Sequence, residues 1–429
     1  MTTLERGLGL EQKLGVLMSL AEDDREGPSA SGTARALPPR LRNVQRLTTL
    51  RPLNIRTFAG HTRRLLRILM TNACSLNCHY CPMRKDRELP RTLLKPEEMV
   101  RVFLGALHRD WCDGLFITTG IAASPVKTTD SVITVLELLR ERHRFGGYIH
   151  VKLVPGADTA QIERIVELSN RVSVNLEAPC GDHLAAIAPE KDLTGTLVTL
   201  ERARGAVVRA RRETAGGRPV DPMRPLGSAG MTMQFVVGAT PDRDRAILDR
   251  TADVYAGGGI HHAHFSAFRP IRDTPLEGMP ATPAIREHRL YQADWLLREY
   301  GFGPDEVVYD ADGNLPLGMD PKSAWALAHP ERFPIEVRTA SRSELLRVPG
   351  IGATSARRIV TARATTVIRD LADLRRMGVV TSRAAGFLTL AGRRLSPLRW
   401  TEQLPLWSPA EEAGRNRAML YDASPGTFR

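Results

Sequence analysis

From Leu65 onward, the chain alternates short β-rich runs with longer runs of helical periodicity. The six strand candidates are LLRILM, GLFITT, YIHVKL, VSVNLE, MTMQFVV and HHAHFSAF. Each precedes a helical stretch, the first being KPEEMVRVFLGALHRD and the last PAIREHRLYQADWLLREY. This alternation predicts an α/β fold built from parallel βαβ units. Six such units form either an open doubly wound sheet or a partial barrel, and periodicity does not separate the two.

The segments outside this region differ in character. At 429 residues the chain is long enough for two or three folded units. A short helix is predicted from Glu11 to Asp23, and GPSASGTARALPPR after it is typical of a linker. The predicted boundaries are an N-terminal helix and linker over 1–45, the βα region over 46–310, a connector over 311–338, a small helical unit over 339–394 and a C-terminal tail over 395–429.

The composition is that of an ordinary soluble globular protein, with 42% hydrophobic and 25% charged residues. The sequence has no apolar run of the roughly eighteen residues that span a bilayer. The N-terminal residues MTTLERGLGLEQKL lack the basic start and apolar stretch of a secretory signal. We therefore expect a cytoplasmic protein that makes no membrane contact.

The chain is strongly basic, with a formal net charge of +12 and an isoelectric point near 9.9. Excess positive charge most often serves to attract phosphate, which favours a nucleic acid as partner. Arginine-rich and alanine-rich sequences also arise from genomic base composition. The charge alone therefore leaves nucleic-acid binding open.

Three of the five cysteines lie within one short segment, LRILMTNACSLNCHYCPMR, directly after the first strand candidate. Cys74, Cys78 and Cys81 follow the pattern CxxxCxxC. Three thiolates can bind three irons of a cubane cluster and leave the fourth iron open to another ligand. A structural zinc site would require four Cys or His ligands, and spacing alone does not exclude His79 as one of them.

The pattern CxxxCxxC with the aromatic Tyr80 before its last cysteine resembles the signature of the radical S-adenosylmethionine (SAM) superfamily. The resemblance implies a partial (β/α)6 TIM-like barrel, with a [4Fe-4S] cluster and S-adenosyl-L-methionine as cofactors. In that family the SAM amino and carboxylate groups chelate the open iron. An electron from the cluster, supplied by a donor such as flavodoxin or ferredoxin, cleaves the C5′–S bond, and the resulting 5′-deoxyadenosyl radical abstracts hydrogen.

The resemblance also assigns SAM-binding positions. Most relatives have a Gly-Gly-Glu-like turn after the second strand, where this sequence has Thr118, Thr119 and Gly120. The glycine permits close backbone approach to the ligand, whereas the acid that contacts the SAM amino group is missing. Backbone carbonyls or the two threonine hydroxyls are the expected substitutes.

Other expected SAM contacts follow later strands. Asn175 and Glu177 are two residues apart, so their side chains point to one face of a strand; they are expected at the SAM ribose or amino group, with a strand-end cap as the alternative. Gly238 matches the family's fifth-strand loop near adenine. Arg269 follows the sixth strand.

The remaining two cysteines and a group of histidines give weaker evidence of a functional role. Cys112 is isolated, and a lone cysteine is most often a small buried hydrophobe. Cys180 is also isolated but follows the strand end NLEAP at the expected rim of the site, which leaves a role for it open. The segment HHAH suggests a histidine cluster, yet alternation sends neighbouring side chains to opposite faces of a strand, so structural roles are expected.

The C-terminal segment LLRVPGIGATSARRIV resembles a helix-hairpin-helix motif. Gly350 and Gly352 lack Cβ atoms, so the turn can approach a phosphate, and the next helix directs free N–H groups at it. Ile351 is expected to pack between the helices. Arg357 and Arg358 are expected to reach neighbouring phosphates. A helical protein-docking module is the alternative reading.

A second, weaker copy of this motif is predicted in VIRDLADLRRMGVVTSRAAGFLTL. There the spacing sets Leu371, Leu374 and Gly378 against Ala384 and Ala385. Such pairs usually fold as one unit. We therefore expect a small all-α helix-hairpin-helix domain after the barrel.

From about residue 65 to 394 the sequence resembles a family of radical SAM proteins assigned by inference to DNA modification or repair. The segments GYIHVKLVPGAD, SVNLEAP, IAPEKD and VPGIG carry this likeness. It implies a DNA-binding enzyme that acts on duplex DNA. The alternatives are an RNA-modifying radical SAM enzyme, a non-catalytic DNA-binding protein with a structural or redox-sensing cluster, and a scaffold that uses its hairpin for protein contacts.

Overall fold

The computed structural model describes residues 8–21, 53–56, 62–214 and 221–396. The predicted linker before residue 46 and the predicted tail from residue 397 lie outside these described residues. The chain divides into two compact units. Of the described residues, those up to 242 and those from 253 to 284 belong to the first unit, and those from 243 to 252 and from 285 to 396 belong to the second.

A seven-stranded sheet forms the centre of the first unit. Its strands are β1 (Leu53–Arg56), β2 (Thr62–Leu69), β3 (Gly114–Thr118), β4 (Tyr148–Lys152), β5 (Arg171–Glu177), β6 (Met231–Val237) and β7 (Ile260–Ala267). β1 is antiparallel to β2, and β2 to β7 are parallel. The antiparallel edge strand β1 was not anticipated from the sequence.

The strand order decides between the two predicted architectures. In the described sheet each strand pairs with the next one along the chain, from β1 to β7. A doubly wound sheet reverses its order at a switch point, and this sheet does not. Right-handed crossovers that always run in one direction keep the helices on one face, so the sheet curls. The six parallel strands therefore form a half-barrel, as the partial (β/α)6 prediction required.

Helices precede, connect and follow the strands, and all but the short helix Gly181–Ile187 lie close to the predicted positions. They are α1 (Leu10–Ala21), α2 (Pro96–His108), α3 (Pro125–Glu137), α4 (Thr159–Leu168), α5 (Gly181–Ile187), α6 (Leu193–Thr214), α7 (Asp244–Ala256) and α8 (Ala284–Glu299). Local chemistry sets several of their starts: the Ser124 hydroxyl caps α3 and the Asp158 carboxylate caps α4. None of the described helices is both long and apolar enough to cross a membrane.

The second unit combines short helices with a small sheet. Its further helices are α9 (Pro321–Ala328), α10 (Arg342–Arg347), α11 (Ala353–Ala362), α12 (Leu371–Arg376) and α13 (Thr381–Ala384). Its strands β8 (Ile335–Glu336), β9 (Leu388–Leu390) and β10 (Arg393–Arg394) pair in the order β10-β9-β8. The predicted all-α domain is thus wrong, because strands of two or three residues are too short to carry an alternating pattern.

Two helical hairpins in this unit meet at their turns. One is formed by α10 and α11 and the other by α12 and α13. The Val380 amide donates to the Gly350 carbonyl at 2.9 Å. Gly350 has a φ of +83°, and a Cβ there would lie 2.5 Å from the Val380 carbonyl oxygen. Only glycine meets both conditions, so the turn-to-turn contact depends on it.

Candidate functional sites

The three clustered cysteines lie on a loop that begins at the carboxyl end of β2. Cys74, Cys78 and Cys81 form no disulfide, and Cys78 is buried while the other two are partly exposed. The backbone of the loop is tied to its neighbours: the Ser75 amide donates to Ile121 at 2.8 Å, and the His79 amide donates to Ile187 at 2.7 Å. The structure therefore brings all three thiols to one edge of the half-barrel.

A buried arginine braces this loop, and sequence reasoning missed it. The Arg91 guanidinium donates to four backbone carbonyls at 2.6–2.8 Å, those of Asn72, Met83, Arg84 and Arg87. One side chain thus fixes both ends of the cysteine loop. Since arginine presents five donors in a rigid fork, it can hold several carbonyls at once. An isolated arginine far along the loop gives no pattern that would have revealed this role.

The carboxylate of Glu177 is a buried charge at the end of β5. Its φ of +65° lies in the left-handed region, and the β5–β6 register shifts beside it. Its Oε1 accepts from Lys191 Nζ at 2.7 Å and from Asn175 Nδ2 at 3.1 Å. Within the described residues, its Oε2 and Asn175 Oδ1 have no hydrogen-bond partner. A buried strained acid with a vacant acceptor is typical of a binding site.

The charges of this site are coupled. Burial alone would raise the pKa of Glu177, but the Lys191 ammonium lowers it below its ordinary value. Burial opposes the charge on Lys191, yet Glu177 and the Cys78 thiol raise its pKa above the usual range. Burial raises the pKa of Cys78 to about 11. Burial and the nearby Glu177 carboxylate raise the pKa of Tyr80.

These residues fit the iron–sulfur cluster and SAM that the sequence pattern implies. Three thiols on one loop can ligate three irons, and coordination to iron removes the proton that burial retains on Cys78. The Lys191 charge lies near Cys78 and Cys81 and offsets the negative charge of thiolates. The vacant oxygens of Asn175 and Glu177 suit an ammonium donor such as the SAM amino group.

The turn after β3 packs against the cysteine loop. The Gly120 amide donates to the Thr71 carbonyl at 2.9 Å, and a Cβ on Gly120 would lie 2.4 Å from the Ala73 carbonyl oxygen. The glycine therefore permits close packing of this turn on the cysteine loop, and the contact of the turn with SAM stays a prediction. Thr118 is buried, and the Thr119 hydroxyl donates to the Gly120 carbonyl.

The two later positions lie at the carboxyl ends of their strands, as expected. Gly238 follows β6 with a φ of +85°, and a Cβ there would overlap the hydroxyl of Thr282. Arg269 follows β7 and is exposed. The glycine is thus explained by packing within the first unit.

The residues predicted to contact DNA divide into two groups. Gly350 faces Val380. The Ile351 side chain is buried in the core of the second unit, and the backbone carbonyl of Ile351 accepts a hydrogen bond from Lys322 Nζ at 2.5 Å. A Cβ on Gly352 would meet the Tyr300 hydroxyl at 3.3 Å. Packing within the second unit therefore accounts for a glycine at position 350, and the approach of this turn to a phosphate stays a prediction.

The arginines of the same hairpin are available to solvent. Arg357 and Arg358 are both exposed. They line a cavity of about 520 Å³ together with Thr361, Ala362, Asp373, Arg376 and Met377. Three arginines and one aspartate give this surface a net positive charge.

Several solved structures are similar to part of the chain. They include HydG, a maturase of the [FeFe]-hydrogenase, at 16% identity and a TM-score of 0.42 over 54% of this chain and 48% of that one. Methylornithine synthase PylB has 13% identity and a TM-score of 0.40, over 52% and 59%. The radical SAM methyltransferase TsrM from Kitasatospora setae has 16% identity and a TM-score of 0.36, over 58% and 40%. The chain spans about half the length of these structures.

The sequence comparison is more specific. Among curated proteins no sequence matches the chain significantly. Residues 68–217 match the family described as the Radical SAM superfamily. This match contains the cysteine loop, Glu177 and Lys191. Residues 68–217 of the chain are therefore a radical SAM superfamily domain, and the enzymes of that family use a [4Fe-4S] cluster and S-adenosylmethionine.

Proposed function

We propose that the chain cleaves SAM reductively and thereby modifies or repairs a nucleic acid, with duplex DNA as the favoured substrate. Cleavage of SAM is supported by the placement of three cysteine thiols on a loop braced by Arg91, beside the buried Glu177–Lys191 pair. The basic surface formed by Arg357, Arg358 and Arg376 on the second unit supports a nucleic acid as the substrate.

In this proposal Cys74, Cys78 and Cys81 hold three irons, and Asn175 and Glu177 accept hydrogen bonds from the SAM amino group. When bound, the two cofactors supply one-electron cleavage of the C5′–S bond and abstraction of a hydrogen atom. The protein's own residues position them: Arg91 holds the loop and Gly120 lets the β3 turn pack against it. An electron donor such as flavodoxin or ferredoxin supplies the reductant. The remaining expected contacts are Tyr80, Thr118, Thr119, Gly238 and Arg269.

We assign the nucleic-acid contact to the helix-hairpin-helix unit predicted over residues 339–394. Arg357 and Arg358 project from α11 into the cavity that Arg376 also lines. Guanidinium groups bind phosphates as bidentate donors. The first turn of α11 also offers backbone N–H groups that have no partner within the helix. Contacts of this kind read the backbone and not the base sequence.

The chemistry is tested by measuring 5′-deoxyadenosine. The protein is purified without oxygen, its cluster is reconstituted, and dithionite and SAM are added with or without duplex DNA. Wild-type product that is absent in Cys78→Ala supports the proposal, and an increase with DNA supports the substrate. An intact cluster that yields no product favours a structural or redox-sensing cluster instead.

The substrate class is tested by competition and by salt dependence. Duplex DNA should outcompete transfer RNA, and the affinity should fall steeply with salt. Arg357→Gln and Arg358→Gln should each reduce the salt slope by about one, whereas exposed Arg342→Gln, which does not line the cavity, should not. Preference for transfer RNA would indicate an RNA-modifying enzyme. Absence of salt-dependent binding would indicate a protein-docking hairpin.

A further inference from the structure

Three side chains of metal-binding type, none of them on the cysteine loop, meet near the carboxyl ends of β5 and β6. One ligand atom from each of Cys180, His183 and Asp242 lies within 4.8 Å of the other two. Cys180 directly precedes α5 and His183 lies in the first turn of that helix. Asp242 comes from the loop after β6. Two neighbouring strand ends of the first unit therefore bring a thiol, an imidazole and a carboxylate together.

Hydrogen bonds within the first unit hold the Asp242 side chain in place. The Asp242 side chain is 2% exposed, and one of its oxygens is bonded to His183 Nδ1. Its other oxygen accepts from the Thr240 hydroxyl. A buried carboxylate is costly unless its oxygens are satisfied. These bonds fix the orientation of the carboxylate toward His183 and Cys180.

Cys180 is not needed for the start of α5. It occupies the N-cap position, yet its side chain makes no capping hydrogen bond. It is a free thiol and is only partly exposed. An ordinary His–Asp ion pair does not require a thiol beside it. The convergence of this third ligand distinguishes the cluster from a structural ion pair.

Thiolate, imidazole and carboxylate together select a thiophilic divalent cation, and zinc is the metal that takes this combination in tetrahedral geometry. Ligand atoms around a tetrahedral zinc are about 3.3–3.8 Å apart. Small side-chain rotations would bring the three observed ligand atoms to these distances. One thiolate and one carboxylate neutralise the charge of Zn²⁺. Thr240 then acts as the hydrogen-bond partner that orients a ligating carboxylate.

We propose that Cys180, His183 and Asp242 bind one Zn²⁺ ion whose fourth position is open to water or to an oxygen of a substrate. The His183 side chain is one-third exposed, so solvent reaches this position. Three protein ligands with one open position are typical of zinc that binds water or substrate and not of purely structural zinc. The site goes beyond the proposed SAM chemistry, since none of its ligands is a cluster cysteine.

The metal content of the reconstituted protein tests this proposal. Iron and zinc are measured per chain by mass spectrometry after anaerobic purification in zinc-supplemented medium. Wild type should contain one zinc in addition to the cluster iron. Cys180→Ala, His183→Gln and Asp242→Asn should lose at least 80% of the zinc while they keep the iron and the cluster absorption. Cys112→Ala, which alters the other isolated cysteine, should keep both metals.

Zinc-edge X-ray absorption distinguishes this site from zinc bound in place of the cluster. The proposed site should show one sulfur at about 2.3 Å and three nitrogen or oxygen ligands, whereas the cluster cysteines would give three sulfurs. Asp242→Asn preserves shape, so its thermal melting separates loss of metal from loss of fold. No zinc in wild type, zinc with three sulfurs, or zinc unchanged in the three variants would each overturn the proposal.

Discussion

At the scale of single residues, the candidate site depends on charges that are buried in pairs. Glu177 is 1% exposed and Lys191 is 10% exposed, and each satisfies the other at 2.7 Å. The sequence indicated Glu177 through its place at a strand end. It did not indicate Lys191, because the segment IAPEKD lies fourteen residues further along and only the fold returns it to β5.

Replacement of Lys191 by methionine should destabilise the protein. The change leaves the Glu177 carboxylate buried without its cation, which typically costs about 3–5 kcal/mol. Anaerobic urea unfolding followed by circular dichroism measures this loss. Exposed Lys127→Met is the control and should change the free energy of unfolding by less than about 0.5 kcal/mol. Equal stability of Lys191→Met and wild type would contradict the pairing.

A second buried lysine predicts a pH effect. Lys322 donates to the Ile351 carbonyl and lies 4.4 Å from the centre of the Tyr300 ring. Burial lowers its pKa well below the ordinary 10.5, and Arg383 and Arg347 add to this while Asp320 opposes it. Between the lowered pKa and 10.5, the unfolded state binds more protons than the folded state. The free energy of unfolding should therefore rise with pH in this window.

The measurement compares wild type with Lys322→Met by urea unfolding at neutral and at alkaline pH. The wild-type gain in stability on raising the pH should exceed that of the variant, because methionine does not titrate. Lys127→Met, with an exposed ammonium removed, should follow wild type. If Lys322→Met gains as much stability as wild type on raising the pH, Lys322 does not cause the pH dependence.

At the scale of elements, the length of a helix or strand decided whether the sequence could predict it. The six parallel strands and their helices carried clear periodic patterns, so their positions were predicted within a few residues. Short elements were missed, among them α5, which supplies His183, and α9, which supplies the buried Trp325. A helix of seven or eight residues gives too few turns for a periodic signal.

The hairpin contact gives a prediction with a matched control. Gly350→Ala should destabilise the second unit by about 2–5 kcal/mol, because a left-handed φ costs about 1–2 kcal/mol and overlap with Val380 adds about 1–3. Gly301 also has a positive φ, of +69°, but has open space where a Cβ would be. Gly301→Ala should therefore cost only about 1–2 kcal/mol. An equal loss in the free energy of unfolding for the two variants, measured with urea, would mean that the contact between the turns does not stabilise the unit.

At the scale of the whole molecule, the chain divides into two compact units, and the described residues of each contain an apolar cluster. Cys78 packs with Ala178, Leu184 and Phe268 in one apolar cluster. Trp325, Leu345, Ile351 and Leu374 belong to another. Residues that share no core usually contribute independently to stability. The two proposed activities should therefore be separable by mutation.

Cys78→Ala should abolish the cluster and still bind duplex DNA within about twofold of wild type, because additive effects are expected between independent sites. The double variant Arg357→Gln/Arg358→Gln should lose DNA affinity and keep its iron. Iron content and fluorescence anisotropy with labelled DNA give the two readouts. Loss of DNA binding in Cys78→Ala, with the fold intact by circular dichroism, would show that the two activities depend on each other.

The sequence by itself determined the parallel βα repeats and the cysteine loop, because periodicity and the CxxxCxxC spacing are local properties of the chain. It also placed Asn175 and Glu177 on one strand end. Only the tertiary structure decided that the sheet curls in sequential order, that Arg91 and Lys191 serve the cysteine loop, and that Cys180 meets Asp242. These contacts join residues far apart in the chain, and their side chains come together only when strand ends align at one edge of the sheet.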